Sequence, residues 1–200
     1  MAQRIFKFEE RHDYLPENFL VSASNQAAYE SAKNFTTNFY ALNIYGQKYC
    51  GKTFLANIAI TSQPDKKIYV IEDLDANANP NLLLQKLNSA KENNEFVLIT
   101  SLTPVAELNF TLPDLKSRLL AIPAVGVEQP DEQLIYMMLA RLFAARQIKI
   151  SDDVINYLCG RVERNFEQLQ ILVSKIDTLA LEQNRSITLP LIKAALQDAA

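Results

Sequence analysis

Strands and helices alternate through residues 41–101, and helices alone follow residue 130. This pattern predicts an α/β fold, a parallel sheet flanked by helices, followed by an all-helical C-terminal part. A further observation puts a ligand on that sheet: a loop bounded by glycines and carrying a lysine lies directly between the first predicted strand and the first predicted helix.

Ala41 to Tyr45 is a short apolar run that stops at Gly46, and Thr53 to Ile60 follows with Leu55, Ile58 and Ala59 at helical spacing. Lys67 to Ile71 is rich in strand-forming residues and ends in the acids Glu72, Asp73 and Asp75. Pro80 opens a helix with the stripe Leu83, Leu84 and Leu87, which Asn93-Asn94 stops. Phe96 to Ile99 is a third buried strand that runs into Thr100-Ser101. Beyond Pro130 the periodicity is helical only: Asp131 to Arg146, Asp152 to Cys159 with Ser151 as its cap, Glu163 to Leu181, and Leu189 to Leu196. The boundary falls near Gly126 to Pro130, which divides the chain into an N-terminal peptide (1–13), an α/β part (14–128) and a helical part (129–200).

Composition removes several classes of function. Lys+Arg 20 against Asp+Glu 23 gives a net charge of −3 with the basic residues scattered, so no direct sequence-specific DNA binding is expected. Cys50 and Cys159 stand far apart without a C-x-x-C pair, which excludes a disulfide framework and a cysteine zinc site. His12 is the only histidine, so histidine catalysis and a histidine metal cluster have nothing to work with. No uncharged apolar run reaches the ~18 residues of a membrane span, and the first ten residues lack the apolar centre of a signal peptide. The expectation is a cytoplasmic protein without a membrane contact.

The chain holds only 4 glycines, and two of them bound one loop. Gly46-Gln47-Lys48-Tyr49-Cys50-Gly51-Lys52-Thr53 fits G-x-x-x-x-G-K-[ST] at every fixed position, after a strand and at the start of a helix. Such a loop wraps its amides round a phosphate at the positive end of the helix. Lys52 supplies a cation, and the Thr53 hydroxyl is a ligand for Mg²⁺. An acid at the end of a neighbouring strand must hold the metal or its water, and Glu72 and Asp73 occupy that place. Thr100 or Ser101, ending the next strand, is a candidate to sense the terminal phosphate. Cys50 has two readings: a thiol whose pKa Lys52 and the helix end lower, or a variable loop position.

These residues resemble the DnaA-related AAA+ ATPase family, and within it the Hda-type members that lack a DNA-reading domain. Phe19-Leu20-Val21-Ser22-Ala23-Ser24-Asn25 is similar to the segment that frames the adenine, with Asn25 at the nucleotide. Leu112-Pro113-Asp114-Leu115-Lys116-Ser117-Arg118-Leu119 is similar to the family's LPDLxSRL element, and the resemblance puts the arginine finger on Arg118. Gln3-Arg4-Ile5-Phe6-Lys7-Phe8 looks like the Q-x-x-Φ-x-Φ peptide by which Hda-type proteins dock on the sliding clamp, through Gln3, Phe6 and Phe8; an extended end or an added strand is the other reading.

The resemblance implies a nucleotide-binding AAA+ module with a helical lid, binding ADP or ATP with Mg²⁺. It implies DnaA and the sliding clamp as partners, a homo-oligomer as a further state, and a weak ATPase activity at most. The sequence ends where DnaA would continue into its DNA-reading domain. An adaptor that recruits a helicase and holds nucleotide only for structure is the alternative.

Three departures accompany the match. Only Thr61 to Lys66 separates Ile60 from Lys67, so the sheet is expected to lack the family's usual second strand, which leaves an edge beside Lys67 to Ile71. Glu72 stands where the family has Asp. Glu167 falls at the lid arginine that normally touches the phosphates, which would pass that role to Arg164, one helical turn earlier.

Overall fold

The computed structural model describes residues 16–197. Helix α1 (Gln26–Asn34) precedes strand β1 (Ala41–Tyr45), helix α2 (Lys52–Ser62), strand β2 (Ile68–Leu74), helix α3 (Pro80–Glu92) and strand β3 (Phe96–Ser101). Helix α4 (Pro113–Leu120) and strand β4 (Ala124–Gly126) complete the α/β part, and α5 (Glu132–Ala145), α6 (Asp152–Cys159), α7 (Phe166–Glu182) and α8 (Leu189–Gln197) follow.

All strand pairs are parallel, in the order β2-β3-β1-β4, so β1 lies between β3 and β4 and β2 forms an edge. Alternation along the strands sorts side chains onto two covered faces. Leu42, Ile44 and Leu98 meet Leu55, Ile58 and Ala59 of α2 and Ala28 and Ala32 of α1. Ala41, Val97 and Ile99 meet Leu83 and Leu87 of α3 and Leu115 and Leu119 of α4. The path from β1 through α2 to β2 steps past β3, as a sheet without the extra strand requires; among the described residues no strand lies outside β2.

The C-terminal helices have their own core. Ile135, Leu139 and Phe143 of α5, Ile155 and Leu158 of α6, Leu169, Val173 and Ile176 of α7, and Ile192 of α8 are all buried together. Caps fix where the helices begin. Asn79 accepts from the amides of Asn81 and Leu82, with Pro80 in the first turn of α3; Asp131 accepts from Leu134, and Asn165 from Glu167 and Gln168.

Four sequence readings change. Ser151 stands at the N-cap of α6, but its side chain makes no capping bond. Helix α7 starts at Phe166 rather than Glu163, because the Asn165 side chain closes the first turn. Arg164 is therefore not one turn earlier on the same helix but in the loop before it. Helix α1 and strand β4, which the hydrophobic pattern does not reveal, are additional elements.

Candidate nucleotide site

The loop between β1 and α2 is shaped by what its glycines permit. A Cβ on Gly46 would sit 2.7 Å from the Val127 carbonyl oxygen and 2.9 Å from the Cys50 sulfur, so only glycine fits under the loop. Gly51 caps α2 with φ +99°, a left-handed conformation that glycine adopts without strain. Tyr49 also has a positive φ, 63°, and carries its ring outward as an exposed crown on the loop. Gln47, Lys48 and Thr53 are exposed, while Cys50 is half-buried.

Lys52 is buried, and its ammonium turns back on the loop. Nζ donates to the carbonyl oxygens of Gly46 and Gln47, each at 3.0 Å, and lies 3.9 Å from Asp73 Oδ1. It thus couples the loop to the end of β2. The pairing of β2 with β3 shifts register between Ile71 and Leu74, and Asp73 within that irregularity has φ +47°. The Asp73 amide donates to Thr100 Oγ1 at 2.9 Å, which holds the turn in place. A bulge re-aims side chains, and here the carboxylate that approaches Lys52 is that of Asp73. Glu72 is exposed beside it. Thr100 is buried and committed to the Asp73 amide; Ser101 Oγ receives from the buried Asn43 and donates to the Thr103 carbonyl. Among the described residues no group of three His, Cys, Asp or Glu forms a metal cluster.

Burial pushes the Cys50 thiol above its usual pKa, outweighing the opposite effect of Lys52. The activated-thiol reading is corrected accordingly: this sulfur is a packed neighbour of Gly46 and stays protonated at neutral pH.

Phe19 stacks on Tyr29 with ring centroids 5.7 Å apart and meets Phe54 at 5.1 Å, and its ring edge lies 3.6 Å from where a Gly51 Cβ would be. This aromatic wall flanks the loop. Asn25 is buried and does not present free polar atoms to the site: Oδ1 accepts from the Ser22 amide and Nδ2 donates to the Leu20 carbonyl. It shapes the turn that leads into α1.

That turn is tied to the base of the lid. The Ser24 amide donates to Asp131 Oδ2 at 3.2 Å, while Asp131 Oδ1 caps α5 and the Glu128 amide donates to the Ser24 carbonyl. Burial raises the Asp131 pKa, but the Leu134 amide, then the Ser22 hydroxyl and the Ser24 amide and hydroxyl, outweigh it and hold the carboxyl below the usual range. Arg164 Nη1 donates to the Pro130 carbonyl at 3.1 Å, another bond to the same hinge rather than to the phosphate loop.

Glu167 of α7 is the lid residue that acts on Tyr49 of the loop. A hydrogen bond to Glu167, and then its negative charge, raise the pKa of the Tyr49 hydroxyl. Arg118 lies apart on α4, 3.8 Å from Asp114 of the same helix. Gln3, Phe6 and Phe8 lie outside the described residues. Sequence reasoning missed the Tyr49 contact and the Ser24–Asp131 tie; Asp131 next to a periodic helix start was the one available signal for the latter.

A family model described as the lid domain of Hda matches residues 131–196, the segment that folds as the four-helix unit. Among solved structures, domain III of the Thermotoga maritima replication initiation protein DnaA is 19% identical, with 94% of this chain and 97% of that one covered and a TM-score of 0.78. The chain has the fold of DnaA domain III, and its C-terminal helices match the Hda lid. AMPPCP-bound DnaA from Aquifex aeolicus is 16% identical, with 86% of this chain and 67% of that one covered and a TM-score of 0.68. The Thermotoga maritima RuvB Holliday junction branch migration motor is 15% identical, over 86% of this chain and 65% of that one, with a TM-score of 0.61. The AAA+ sheet with its helical lid is thus a fold shared with DnaA and RuvB. No helix among the described residues is long and apolar enough to cross a membrane.

Proposed function

We propose that this AAA+ protein is an Hda-like regulator of replication initiation. It binds an adenine nucleotide, ADP or ATP, with Mg²⁺ between the sheet and the lid, and it promotes hydrolysis of the ATP held by DnaA. The observation that carries this reading is the Hda-type lid at residues 131–196 joined to an α/β part whose loop, Lys52 and Asp73 already converge. A similar fold from Aquifex aeolicus holds AMPPCP, which supports the nucleotide assignment.

In this reading the loop amides and Lys52 would bind the phosphates, and Thr53, with Asp73 and Glu72 at the end of β2, would hold Mg²⁺, which would neutralise phosphate charge. The aromatic wall of Phe19 and Phe54 borders the base. Lys52 exchanges the Gly46 and Gln47 carbonyls for phosphate oxygens, trading neutral acceptors for charged ones. Arg118 acts in trans: a guanidinium brought to the phosphates of a neighbouring subunit stabilises charge that develops only as the terminal phosphoryl leaves. Gln3, Phe6 and Phe8 dock the protein on the sliding clamp and so bring it to DNA. Turnover at its own site is weak, because Glu167 puts a negative charge beside Tyr49 at the loop.

That last observation also favours a second reading, an adaptor that holds nucleotide only for structure and recruits a helicase. Binding assays with purified DnaA, sliding clamp and replicative helicase separate the two. Retention of DnaA and clamp supports the regulator; retention of helicase alone supports the adaptor.

A further inference from the structure

Helix α4 presents Arg118 from a rigid base. Leu115 and Leu119 on its inner face are 0% and 1% exposed, so the backbone that carries Arg118 is fixed in the core. The side chain itself is 30% exposed, and its Nε is buried without a hydrogen-bond acceptor. The nearest opposite charge is Asp114 Oδ1 at 3.8 Å, one helical turn earlier, on a side chain that is 61% exposed. That distance is longer than a hydrogen bond and lies within the outer range of an ion pair. The order is the favourable one for a helix: the acid lies in the first turn and the base in the last, with the acid four residues ahead.

An arginine has five donors in a planar fork, and the position of Nε sets the plane of the other four. We infer that Asp114 is a positioning residue for Arg118: its carboxylate attracts the Nε edge and thereby keeps the outer nitrogens of the guanidinium turned away from α4, toward a phosphoryl group supplied by another subunit. This deepens the arginine-finger reading above and rests on it for its consequence, though not for the geometry. Asp114 touches no nucleotide in this scheme. Its contribution is orientation, and misorientation of a reacting group lowers the maximal rate more than it lowers affinity.

Two measurements test this on the intact 200-residue chain. In the first, stimulation of DnaA-bound ATP hydrolysis is titrated with wild type, Asp114→Asn, Asp114→Glu, Arg118→Ala and the Asp114→Asn/Arg118→Ala pair. The expected result is a fall in maximal rate of about threefold or more for Asp114→Asn at unchanged half-saturating concentration, rescue by Asp114→Glu, and no further effect in the Arg118→Ala background. An Asp114→Asn effect that persists without Arg118, or a changed half-saturating concentration at unchanged maximal rate, overturns the inference. The second measurement needs no DnaA: the Arg118 Nε–H resonance, assigned by its loss in Arg118→Lys, is compared in wild type and Asp114→Asn. Slow exchange in wild type that becomes fast in Asp114→Asn supports the inference, and an unchanged resonance overturns it. Failure of wild type to stimulate hydrolysis counts against the proposed function alone, since the resonance still decides the geometry.

Discussion

Glu167, in the first turn of α7, acts on the hydroxyl of Tyr49 at the crown of the β1–α2 loop and raises its pKa. The lid therefore meets the loop through an acid and a phenol, at the place where the family resemblance expects an arginine. Asn165 caps α7 and fixes the backbone that carries Glu167, its side chain accepting from the Glu167 amide at 2.9 Å. A negative charge so placed opposes a third phosphate. Replacing Glu167 with Gln is expected to tighten ATP binding about fivefold, roughly 1 kcal/mol for one partly solvated charge. Calorimetric titration of both proteins with ATP and Mg²⁺ checks it, and equal affinities contradict it.

In the proposed function, Lys52 is the group on which phosphate binding depends most. Lys52→Ala removes the buried cation and leaves the Gly46 and Gln47 carbonyls without its two bonds. The expected outcome is a loss of nucleotide affinity of about a hundredfold or more, since a buried charge contact is worth ~2–5 kcal/mol. Titration with ADP and with ATP reads this directly, and circular dichroism shows whether the sheet is retained.

Gly46 has a steric reason to be glycine. In Gly46→Ala the new methyl meets the Val127 carbonyl oxygen at 2.7 Å, and that atom is backbone, held by its place beside β1. Overpacking of this kind costs ~1–3 kcal/mol. Denaturant titration should give a lower midpoint with an unchanged slope, together with weaker nucleotide binding as the loop shifts.

Much of this was legible in advance, and what was not has physical reasons. Runs such as Phe96 to Ile99, buried on both faces of the sheet, and the helical stripe of α5 have enough apolar side chains to declare themselves. The edge position of β2 followed from the short connection after α2. Strand β4 is too short for any period, and α1 buries only the small residues Ala28 and Ala32, which carry little hydrophobic signal. Within the site, the spacing of Gly46, Gly51 and Lys52 revealed the loop because one local segment builds it. The turn of Asp73 toward Lys52 depends on a bulge, the commitment of Thr100 on the Asp73 amide, and the meeting of Tyr49 with Glu167 on tertiary packing. None of these is written in a local pattern.

Asp131 makes the hinge sensitive to acid. Its carboxyl has a pKa below the usual aspartate value because the Leu134 amide and the Ser22 and Ser24 groups outweigh burial. A depressed folded-state pKa stabilises fully above the unfolded value of about 3.9 and loses that contribution as pH falls through the folded value. Melting temperature is therefore expected to drop below about pH 4, and Asp131→Asn, which keeps a capping oxygen but cannot titrate, should show a shallower drop over that range. Parallel thermal melts from acid to neutral pH make the comparison.

Arg118 carries the central claim. The most direct measurement is the rate of ATP hydrolysis by nucleotide-bound DnaA in the presence of clamp-loaded DNA, with wild-type protein and with Arg118→Ala. The account predicts strong stimulation by the wild type and its loss, by about a hundredfold or more, in Arg118→Ala, with DnaA and clamp binding retained. Equal stimulation by the two proteins, or none by the wild type, would contradict it.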